Sequence, residues 1–569
     1  MTPPPFPSAP GAPDEIRLSP RAWLVLIALA FVALAPGVFS VPPMDRDEAR
    51  YAQATSQMWE SGDFIDIRFQ DEPRYVKPVG IYWMQVVTTA PWGADAPIGA
   101  HRLPSLFGAL LAVAATAWLT ARFYGSSAGF AAGLILALCF AMQIESRTAK
   151  TDAALLAAGV FAQGALMMLM TRVREARPAF IGWPAVFWAA HGAALLIKGP
   201  IILMVSVLTL VGYVAWTRDW RALGRLRPLP GVGLALAIFL PWVIAITAAT
   251  GGDFLQESVG HALLGKVGEA DDSHGGPFGY HTLLSPVTLW PGAALLGLAG
   301  LYAWSRRGEN ETRFLIAWIL PTWLVFELVQ TKLPHYVLPT FPAIAMLAAL
   351  AMVEAPALLE RLRAKLLHGV IAALVVLVGL VLSALPVAGA WYFDQPIGAA
   401  SWIASILGLT ATVSAGLLAV RPSPDQLLAT GVATAAFYAA LFGVAIPGID
   451  AMWPSDRVAD LVDRLEGCET VSVATAGYRE PSNVFHFGSE TALTDGPGAA
   501  AHLLADPACG IAVVDIEEAD AFFAVLREAG AGVRTLGRVD GHNMVKGAEL
   551  SLTVFVLEGS RLRLAGEGG

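Results

Sequence analysis

Long apolar stretches alternate with short polar segments along most of the chain. An apolar helix needs about 20 residues to cross roughly 30 Å of hydrocarbon, and many of the stretches approach or reach that length. The pattern therefore predicts a mainly α-helical, polytopic membrane protein with about thirteen transmembrane helices. The predicted spans are residues 22–41, 101–121, 128–146, 152–171, 180–196, 199–216, 230–249, 283–304, 312–330, 337–354, 367–390, 398–420 and 427–447.

Composition agrees with this pattern. Of the 569 residues, 56% are hydrophobic and 15% are charged, and the mean hydropathy is +0.58. An ordinary soluble domain has about 25% charged residues. The net charge is −9 and no basic tract occurs outside short connections between spans, so no nucleic-acid partner is expected. The expected surroundings are membrane lipids, and the oligomeric state stays open.

Three regions differ in composition. Residues 1–21 are rich in Pro and small residues and are expected to form a disordered cytoplasmic lead. Residues 22–448 form the expected membrane module. Residues 449–569 contain short β-branched runs and predict a small soluble α/β domain. Cys468 and Cys509 lie in this tail, where an oxidising compartment permits a disulfide, but the sequence leaves their pairing open.

Arginine and lysine in the short connections set the predicted orientation. With thirteen spans, most connections rich in these residues lie on one side, which the positive-inside rule identifies as the cytoplasm. We therefore expect a multi-pass membrane protein with a cytoplasmic N-terminus. The segments 42–100, 250–282 and the C-terminal domain are expected on the periplasmic side.

Ionisable residues also gather on the predicted outer side, in company with carboxylates. Such groups near apolar segments are costly unless paired or hydrated, so together they indicate a functional site. Taken singly, Arg68 and Arg102 are interpreted as interface charges, and Lys198 fits either reading. The clusters lie at 44–51, 74–78, 147–152, 198–200, 261–266 and 332–336.

A cationic, acid-lined cavity at the outer face suits transfer of a sugar from a lipid phosphate. Lys and Arg side chains stabilise the charge that grows on the leaving phosphate. A carboxylate deprotonates or orients the acceptor as it attacks the anomeric carbon. This chemistry needs no nucleotide, and no phosphate-cradling Gly-rich motif is found in the sequence.

Several motifs carry a family resemblance. The segments DEARYA (47–52), YVKPVGIYW (75–83), SRTAKTDAALL (146–156), KGP (198–200) and KLPHYVLP (332–339) occur in this order. Over about residues 20–350 the chain resembles the bacterial aminoarabinose–lipid A transferases. More widely it resembles the protein O-mannosyltransferase superfamily of GT-C class membrane glycosyltransferases.

The resemblance implies roles for the matching residues. Asp47, Glu48 and Asp152 would be the catalytic acidic residues, with Asp47 the primary carboxylate and Arg50 shaping the site. The reaction would invert the anomeric centre by direct displacement. The residues implied in binding the substrate and the phosphate of a polyprenyl (undecaprenyl) phosphate carrier are Arg50, Tyr75, Lys77, Lys198, His261, Lys266 and Tyr336.

One departure concerns a divalent metal. In the aminoarabinose transferases, a Glu before the lysine matching Lys77 and a His matching His261 are expected to hold a metal. Here Val76 precedes Lys77. The expected metal set therefore lacks a ligand, and His261 is interpreted first as a polar contact. No cofactor is assigned.

Three functions remain open from the sequence. The first is a glycosyltransferase that moves a sugar from polyprenyl phosphate to lipopolysaccharide, lipid A or a related envelope glycan. The second is a protein O-glycosyltransferase of the same fold. The third is a transporter or flippase for a lipid-linked sugar. The sequence does not identify the sugar or the acceptor.

Overall fold

A computed structural model describes residues 17–171, 181–255, 275–360 and 362–565 of the chain. Of the N-terminal segment predicted to be disordered, residues 1–21, the first 16 residues lie outside these ranges. His261 and Lys266 lie outside them as well.

The membrane module consists of α-helices joined by short connections. Ser19 caps the first helix, since its side chain accepts a hydrogen bond from the amide of Ala22 at 3.2 Å. The helices up to the last apolar one are α1 Pro20–Leu34, α2 Asp47–Ser61, α3 Gly80–Thr89, α4 Ile98–Tyr124, α5 Ser126–Leu138, α6 Phe140–Ser146, α7 Asp152–Thr171, α8 Trp183–Lys198, α9 Ile201–Thr217, α10 Pro228–Ala249, α11 Tyr280–Thr288, α12 Leu296–Ser305, α13 Asn310–Leu328, α14 Phe341–Leu358, α15 Leu362–Tyr392, α16 Ala399–Val420 and α17 Pro424–Ala440.

Within the described ranges, seven helices are long and apolar enough to cross a membrane. The number rises to nine if two bent pairs of helices each count as one span. Helices α5 and α6 meet at 65°, and α11 meets the segment Gly292–Ser305 at 113°. Helix length and composition thus indicate a multi-pass membrane protein. The seven to nine helices that meet this criterion are fewer than the thirteen spans predicted from the sequence.

Two glycines allow helices that carry site residues to approach closely. A Cβ at Gly108 on α4 would lie 2.7 Å from the backbone of Ala154 on α7. A Cβ at Gly80, where α3 begins, would lie 2.7 Å from the backbone of Leu196 on α8. Small residues permit such backbone approach between membrane helices. The first residues of α7 and the end of α8 are thereby brought beside residues 42–100, the segment predicted to form the first outer loop.

The first outer loop folds into two amphipathic helices and a hairpin. Helix α2 starts at Asp47 and ends before Gly62, whose φ of +71° places it in the left-handed region that glycine favours. Strands β1 Arg68–Phe69 and β2 Glu72–Pro73 pair antiparallel between α2 and α3.

The C-terminal residues form a mixed sheet flanked by short helices. Its helices are α18 Pro454–Val462, α19 Pro481–Phe487, α20 Gly496–Ala505 and α21 Ala519–Glu528. The strands are β3 Leu465–Glu466, β4 Ser472–Ala476, β5 Ala492–Thr494, β6 Gly510–Asp515, β7 Val533–Asn543, β8 Ala548–Leu557 and β9 Arg563–Leu564.

The five main strands run in the order β5-β4-β6-β8-β7. Strand β4 is parallel to β5 and β6, whereas β8 is antiparallel to β6 and β7. Strands β3 and β9 form a separate antiparallel pair. A disulfide joins Cys468 to Cys509, with their Cα atoms 6.0 Å apart. We call residues 454–565 the C-terminal unit.

The C-terminal unit contacts the first outer loop along α2. The Tyr478 hydroxyl donates to Asp45 at 2.8 Å, just before α2, and the Ser489 hydroxyl donates to Glu60 at 2.7 Å, near its end. Between them, the Phe485 ring packs edge-on against His101 with centroids 5.6 Å apart. The unit therefore contacts the same loop that carries the motif at residues 47–52.

Candidate active site

Asp47 is an exposed carboxylate on the first residue of α2. Its acidic neighbour Glu48 is buried. Acidic residues in the first turn complement the positive end of the helix dipole. The two adjacent carboxylates thus have opposite environments, one open to solvent and one enclosed by protein.

The Glu48 carboxylate is fully occupied by donors from three parts of the chain. Arg102 donates from Nε to Oε1 at 2.8 Å and from Nη2 to Oε2 at 2.7 Å. The Ala149 amide donates to Oε1 at 2.7 Å, and the Met44 amide donates to Oε2 at 2.9 Å. This geometry does not fit the catalytic role predicted for Glu48, because both oxygens are committed to holding neighbouring segments.

Arg102 lies inside the protein, in contrast to the interface position expected from the sequence. Its side chain is 0% exposed. Besides Glu48, its guanidinium donates to the carbonyls of Val38 at 3.0 Å, Val41 at 2.5 Å and Pro42 at 2.9 Å. Arg102 therefore joins the segment after α1 to the first turn of α2. The fork of donors on a guanidinium suits this role.

Asp152 and Lys198 form a buried ion pair between α7 and α8. Lys198 Nζ lies 2.6 Å from Asp152 Oδ1, and the two side chains are 10% and 9% exposed. His335 Nε2 lies 3.7 Å from the same oxygen. The structure thus brings together two residues that the sequence places 46 positions apart.

A second pair lies beside the first. Lys150 Nζ is 3.0 Å from Glu145 Oε1, and His335 Nδ1 is 3.5 Å from that oxygen. Burial by itself lowers the pKa of Lys150, but Glu145 and Asp152 outweigh it and raise the pKa above its ordinary value. Burial also lowers the pKa of His335 below its ordinary value, although the carboxylates of Asp152 and Glu145 raise it. We call Glu145, Lys150, Asp152, Lys198 and His335 the ionic cluster.

Near Asp47, the Arg74 side chain contacts two tyrosine side chains. The Arg74 guanidinium lies over the Tyr51 ring at 4.9 Å, and its Nε donates to the Tyr82 hydroxyl at 3.2 Å. Burial lowers the pKa of Arg74, but Tyr82, Tyr51 and Asp47 raise it above its ordinary value. Asp47 also contributes to the raised pKa of Lys150. Asp47, Arg74 and Lys150 therefore share one electrostatic environment.

The residues expected to bind substrate have varied surroundings. Arg50 is exposed, and Lys77 and Tyr336 are partly buried. The Tyr75 hydroxyl donates to Asp66 at 2.9 Å. Tyr336 packs against Phe326 with ring centroids 5.8 Å apart. His261 and Lys266 lie outside the described residues, so no geometry is assigned to them.

The metal set implied by the resemblance is not assembled by the part of the chain that the structure describes. Within residues 17–171, 181–255, 275–360 and 362–565, no group of three His, Cys, Asp or Glu residues is arranged to hold a metal ion. Val76, which stands where a Glu ligand was expected, is 42% exposed and supplies no donor atom.

Four residues join the site without an individual role predicted from the sequence, although three of them lie in the predicted ionisable clusters at 74–78, 147–152 and 332–336. Lys150, Arg74 and His335 stand within or beside the quoted motifs, so the signal was present next to Asp152, Tyr75 and Tyr336. Glu145 ends an otherwise apolar run, and an ionisable residue in such a run is itself a functional signal. These residues were missed because their convergence depends on helix packing.

The arrangement combines an accessible carboxylate with a mixed cluster of charges behind it. Asp47 can accept a proton from a bound hydroxyl, since no hydrogen-bond donor to its carboxylate is found among the residues described. Arg50 and the lysines supply positive charge for an anion. The chemistry that this supports is displacement at a carbon that carries an anionic leaving group.

Comparisons with known proteins agree with the expected resemblance. The family of dolichyl-phosphate-mannose-protein mannosyltransferases matches residues 22–250. The undecaprenyl phosphate-alpha-4-amino-4-deoxy-L-arabinose arabinosyl transferase of Pseudomonas aeruginosa (strain LESB58) is 28% identical over 345 residues. That match covers 59% of this chain and 61% of the relative. The chain thus spans about three fifths of the curated relatives it matches.

Solved structures show the same fold. ArnT from Cupriavidus metallidurans in the apo state has a TM-score of 0.72 and 20% identity, covering 94% of this chain and 98% of that one. ArnT from the same organism bound to undecaprenyl phosphate has a TM-score of 0.71, with the same identity and coverage. The prediction of a mainly helical GT-C membrane fold similar to the aminoarabinose transferases is confirmed.

Proposed function

We propose that this protein is an inverting glycosyltransferase that uses a sugar linked to undecaprenyl phosphate. Its acceptor is lipid A, lipopolysaccharide or a related envelope glycolipid at the periplasmic face of the bacterial inner membrane. The observation that carries the proposal is the exposed Asp47 carboxylate beside the buried ionic cluster. An accessible base next to ammonium groups held in place, here Lys150 and Lys198 beside their carboxylate partners, is the pairing that displacement from a lipid phosphate needs.

In the proposed reaction, an acceptor hydroxyl attacks the anomeric carbon of the donor sugar. Asp47 accepts the hydroxyl proton while the new carbon–oxygen bond forms. The bond between the anomeric carbon and the phosphate oxygen breaks, and its electron pair leaves with undecaprenyl phosphate. Attack opposite the leaving group inverts the anomeric centre.

Positive side chains stabilise the phosphate as its charge grows. We assign this role to Lys77 and Arg50, with the Tyr336 hydroxyl donating a hydrogen bond to the phosphate and Lys198 contributing from the ionic cluster. Asp152 holds the Lys198 ammonium at 2.6 Å, so Asp152 positions this cation within the reaction. The predicted contacts from His261 and Lys266 belong to the same proposal.

Donor and acceptor classes follow from similarity and from one departure. The similar transferases are named for an undecaprenyl phosphate-linked aminoarabinose donor. Val76 replaces the Glu expected before Lys77, so the environment of the donor phosphate differs. We therefore propose the carrier, undecaprenyl phosphate, and leave the sugar as a pentose or hexose.

The finer topology is also a proposal. We infer thirteen membrane crossings, a cytoplasmic N-terminus and a periplasmic C-terminal domain over residues 449–569. A helix or bent helix pair overlaps each of the thirteen predicted spans, which supports this count. The contact between the C-terminal unit and the first outer loop supports a common side for both.

Transfer by the purified protein tests the proposal. Full-length protein in detergent receives undecaprenyl phosphate-linked sugars and lipid A, and the product is identified by mass spectrometry. We expect transfer by the natural protein and loss of at least 100-fold in the Asp47→Asn variant, a typical effect of removing a general base. The matched control is Asp71→Asn, which makes the same change at an exposed position of the same loop.

Other outcomes identify the alternative functions. Transfer to a protein hydroxyl rather than lipid A indicates a protein O-glycosyltransferase. Movement of the lipid-linked sugar across vesicles without cleavage of its phosphate bond indicates a transporter. Full activity in both Asp47→Asn and Asp152→Asn contradicts the site assignment.

A further inference from the structure

Tyr478 connects the C-terminal unit to the residue two positions before Asp47. Its hydroxyl donates to Asp45 Oδ2 at 2.8 Å, across 433 residues of sequence. Tyr478 is 1% exposed. A buried hydroxyl donating to a carboxylate is among the stronger hydrogen bonds in proteins. Asp45 is thus fixed by a residue that lies outside the membrane module.

The residue between Asp45 and Asp47 has an unusual backbone. Arg46 has φ +65° and ψ −113°, in a region that L residues rarely adopt. Such conformations persist where contacts on both sides enforce them. Arg46 is also the N-cap of α2 and makes no side-chain cap hydrogen bond. Its conformation therefore depends on how Asp45 and Glu48 are held.

Glu48 supplies the contact on the other side. Its carboxylate is held by Arg102 and by the amides of Met44 and Ala149. Asp47 lies between these two fixed carboxylates and accepts no hydrogen bond from the residues that the structure describes. The direction of its side chain is therefore set by Asp45 and Glu48 through the backbone.

We propose that Tyr478 is a positioning residue for the catalytic carboxylate Asp47, so that the C-terminal unit completes the active site. Tyr478 acts through Asp45 and the constrained Arg46 and does not contact the reacting atoms. The inference rests on the proposed function, in which Asp47 accepts the proton of the acceptor.

Other contacts keep the C-terminal unit in place when this hydrogen bond is removed. Phe485 packs against Ala52, Ile98 and Ala149 and contacts the His101 ring. Gln70 donates to the carbonyls of Ser489 and Thr491 at 2.9 and 2.7 Å. Loss of the Tyr478 hydroxyl is therefore expected to free Asp45 without detaching the unit.

Steady-state kinetics of full-length variants test the proposal. Tyr478→Phe should lower kcat about tenfold, as expected for the loss of one hydrogen bond to a charged group. The KM for the undecaprenyl phosphate-linked sugar should stay within about twofold, because the phosphate contacts are unchanged. Asp45→Ala should match this loss. Asp45→Asn keeps an oxygen acceptor for Tyr478 and should retain most of kcat.

The matched control is Ser489→Ala. It also removes a hydroxyl–carboxylate hydrogen bond between the C-terminal unit and α2, at 2.7 Å from Glu60. Glu60 lies about 20 Å from Asp47 along the helix, from the rise of 1.5 Å per residue. Ser489→Ala should keep kcat within about twofold, since it leaves the start of α2 unchanged.

A double variant and hydrogen exchange complete the test. Tyr478→Phe combined with Asp45→Ala should be no slower than either single variant, because both remove one interaction. The amides of residues 45–49 should exchange faster in Tyr478→Phe and not in Ser489→Ala, a readout independent of catalysis. Unchanged exchange, multiplicative losses in the double variant, or wild-type kcat in Tyr478→Phe overturns the proposal.

Failure of the proposed function gives a different result. If the natural protein transfers no sugar from undecaprenyl phosphate, the function is wrong, whatever the exchange data show. If the natural protein is active and Asp47→Asn is inactive, but Tyr478→Phe behaves as wild type, only the positioning role is wrong.

Discussion

Glu48 and Arg102 are 54 residues apart in sequence and form a two-pronged buried ion pair. The two hydrogen bonds are 2.8 and 2.7 Å long, and the side chains are 1% and 0% exposed. Because Arg102 also binds carbonyls after α1, this pair fixes the start of the helix that carries Asp47. Its function is structural support of the site.

Removing Glu48 should therefore destabilise the protein. Glu48→Ala leaves the Arg102 charge buried without its partner, which typically costs about 3–5 kcal/mol. We expect a clear fall in the thermal midpoint of the detergent-solubilised protein, measured by tryptophan fluorescence. Asp47→Ala, at the adjacent exposed carboxylate, should leave the midpoint nearly unchanged. Equal midpoints for the two variants would contradict the structural role of Glu48.

In Asp152 and Lys198, we expect the second substitution to restore the stability that the first one removes, but not to restore sugar transfer. Lys198→Met leaves Asp152 buried and unpaired, at a cost of about 3–5 kcal/mol. Adding Asp152→Asn should restore much of the stability, because the buried charge is gone, while sugar transfer stays impaired. Thermal midpoints and kcat/KM of the three variants check this. A double variant that is less stable than Lys198→Met would be inconsistent with the pair.

Stability should depend on pH through Asp45. Burial raises the pKa of Asp45 to about 6 from 3.8, although the hydroxyl groups of Ser482 and Tyr478 lower it. Since the folded state binds this proton more tightly, the stabilising contribution is present below pH 3.8 and is lost as the pH rises through 6. Asp45→Asn should thus raise stability at pH 7.5, by up to about 3 kcal/mol.

The measurement for Asp45 is the difference in thermal midpoint between the variant and the natural protein at pH 4 and pH 7.5. The difference should grow with pH, because the charged carboxylate is the destabilised form. Asp71→Asn provides the exposed control. A difference that does not change between these two pH values would show that Asp45 titrates alike in both states.

The disulfide between Cys468 and Cys509 should stabilise the C-terminal unit. It closes a loop with a sequence separation of 41, for which chain entropy predicts about 4 kcal/mol. Replacing both cysteines by serine should lower the unfolding temperature of this unit. Limited proteolysis during heating measures that temperature. Replacing the buried free Cys139 by alanine controls for cysteine loss elsewhere. Identical proteolysis with and without the disulfide would rule out this contribution.

Membrane character and the order of motifs could be predicted from the sequence. Apolar length predicts helices, because each backbone polar group must be satisfied within the bilayer, and the outer loop carries its chemistry in contiguous motifs. Asp47, Lys77 and Asp152 lie in those motifs, and their predicted roles come from the family resemblance that the motifs carry. Bends within helices, such as the 65° break between α5 and α6, gave no comparable signal in hydropathy.

The sequence could not distinguish the environments of Asp47 and Glu48. Adjacent acidic residues are equivalent in a motif, yet their side chains point to different surroundings once the helix is packed. Only contact with Arg102 and Ala149 makes Glu48 structural and leaves Asp47 accessible. Lys150, His335 and Glu145 likewise joined the site because separate segments converge, which no local pattern specifies.

The sequence by itself determined that this chain spans a membrane and which outer segments hold its ionisable residues. Those properties follow from apolar length and from the cost of charge near hydrocarbon, both of which are local. The tertiary structure decided which charges are paired, which carboxylate stays open, and that Tyr478 lies against the start of α2. These depend on distances between residues that lie from 46 to 433 positions apart in sequence, which packing alone fixes.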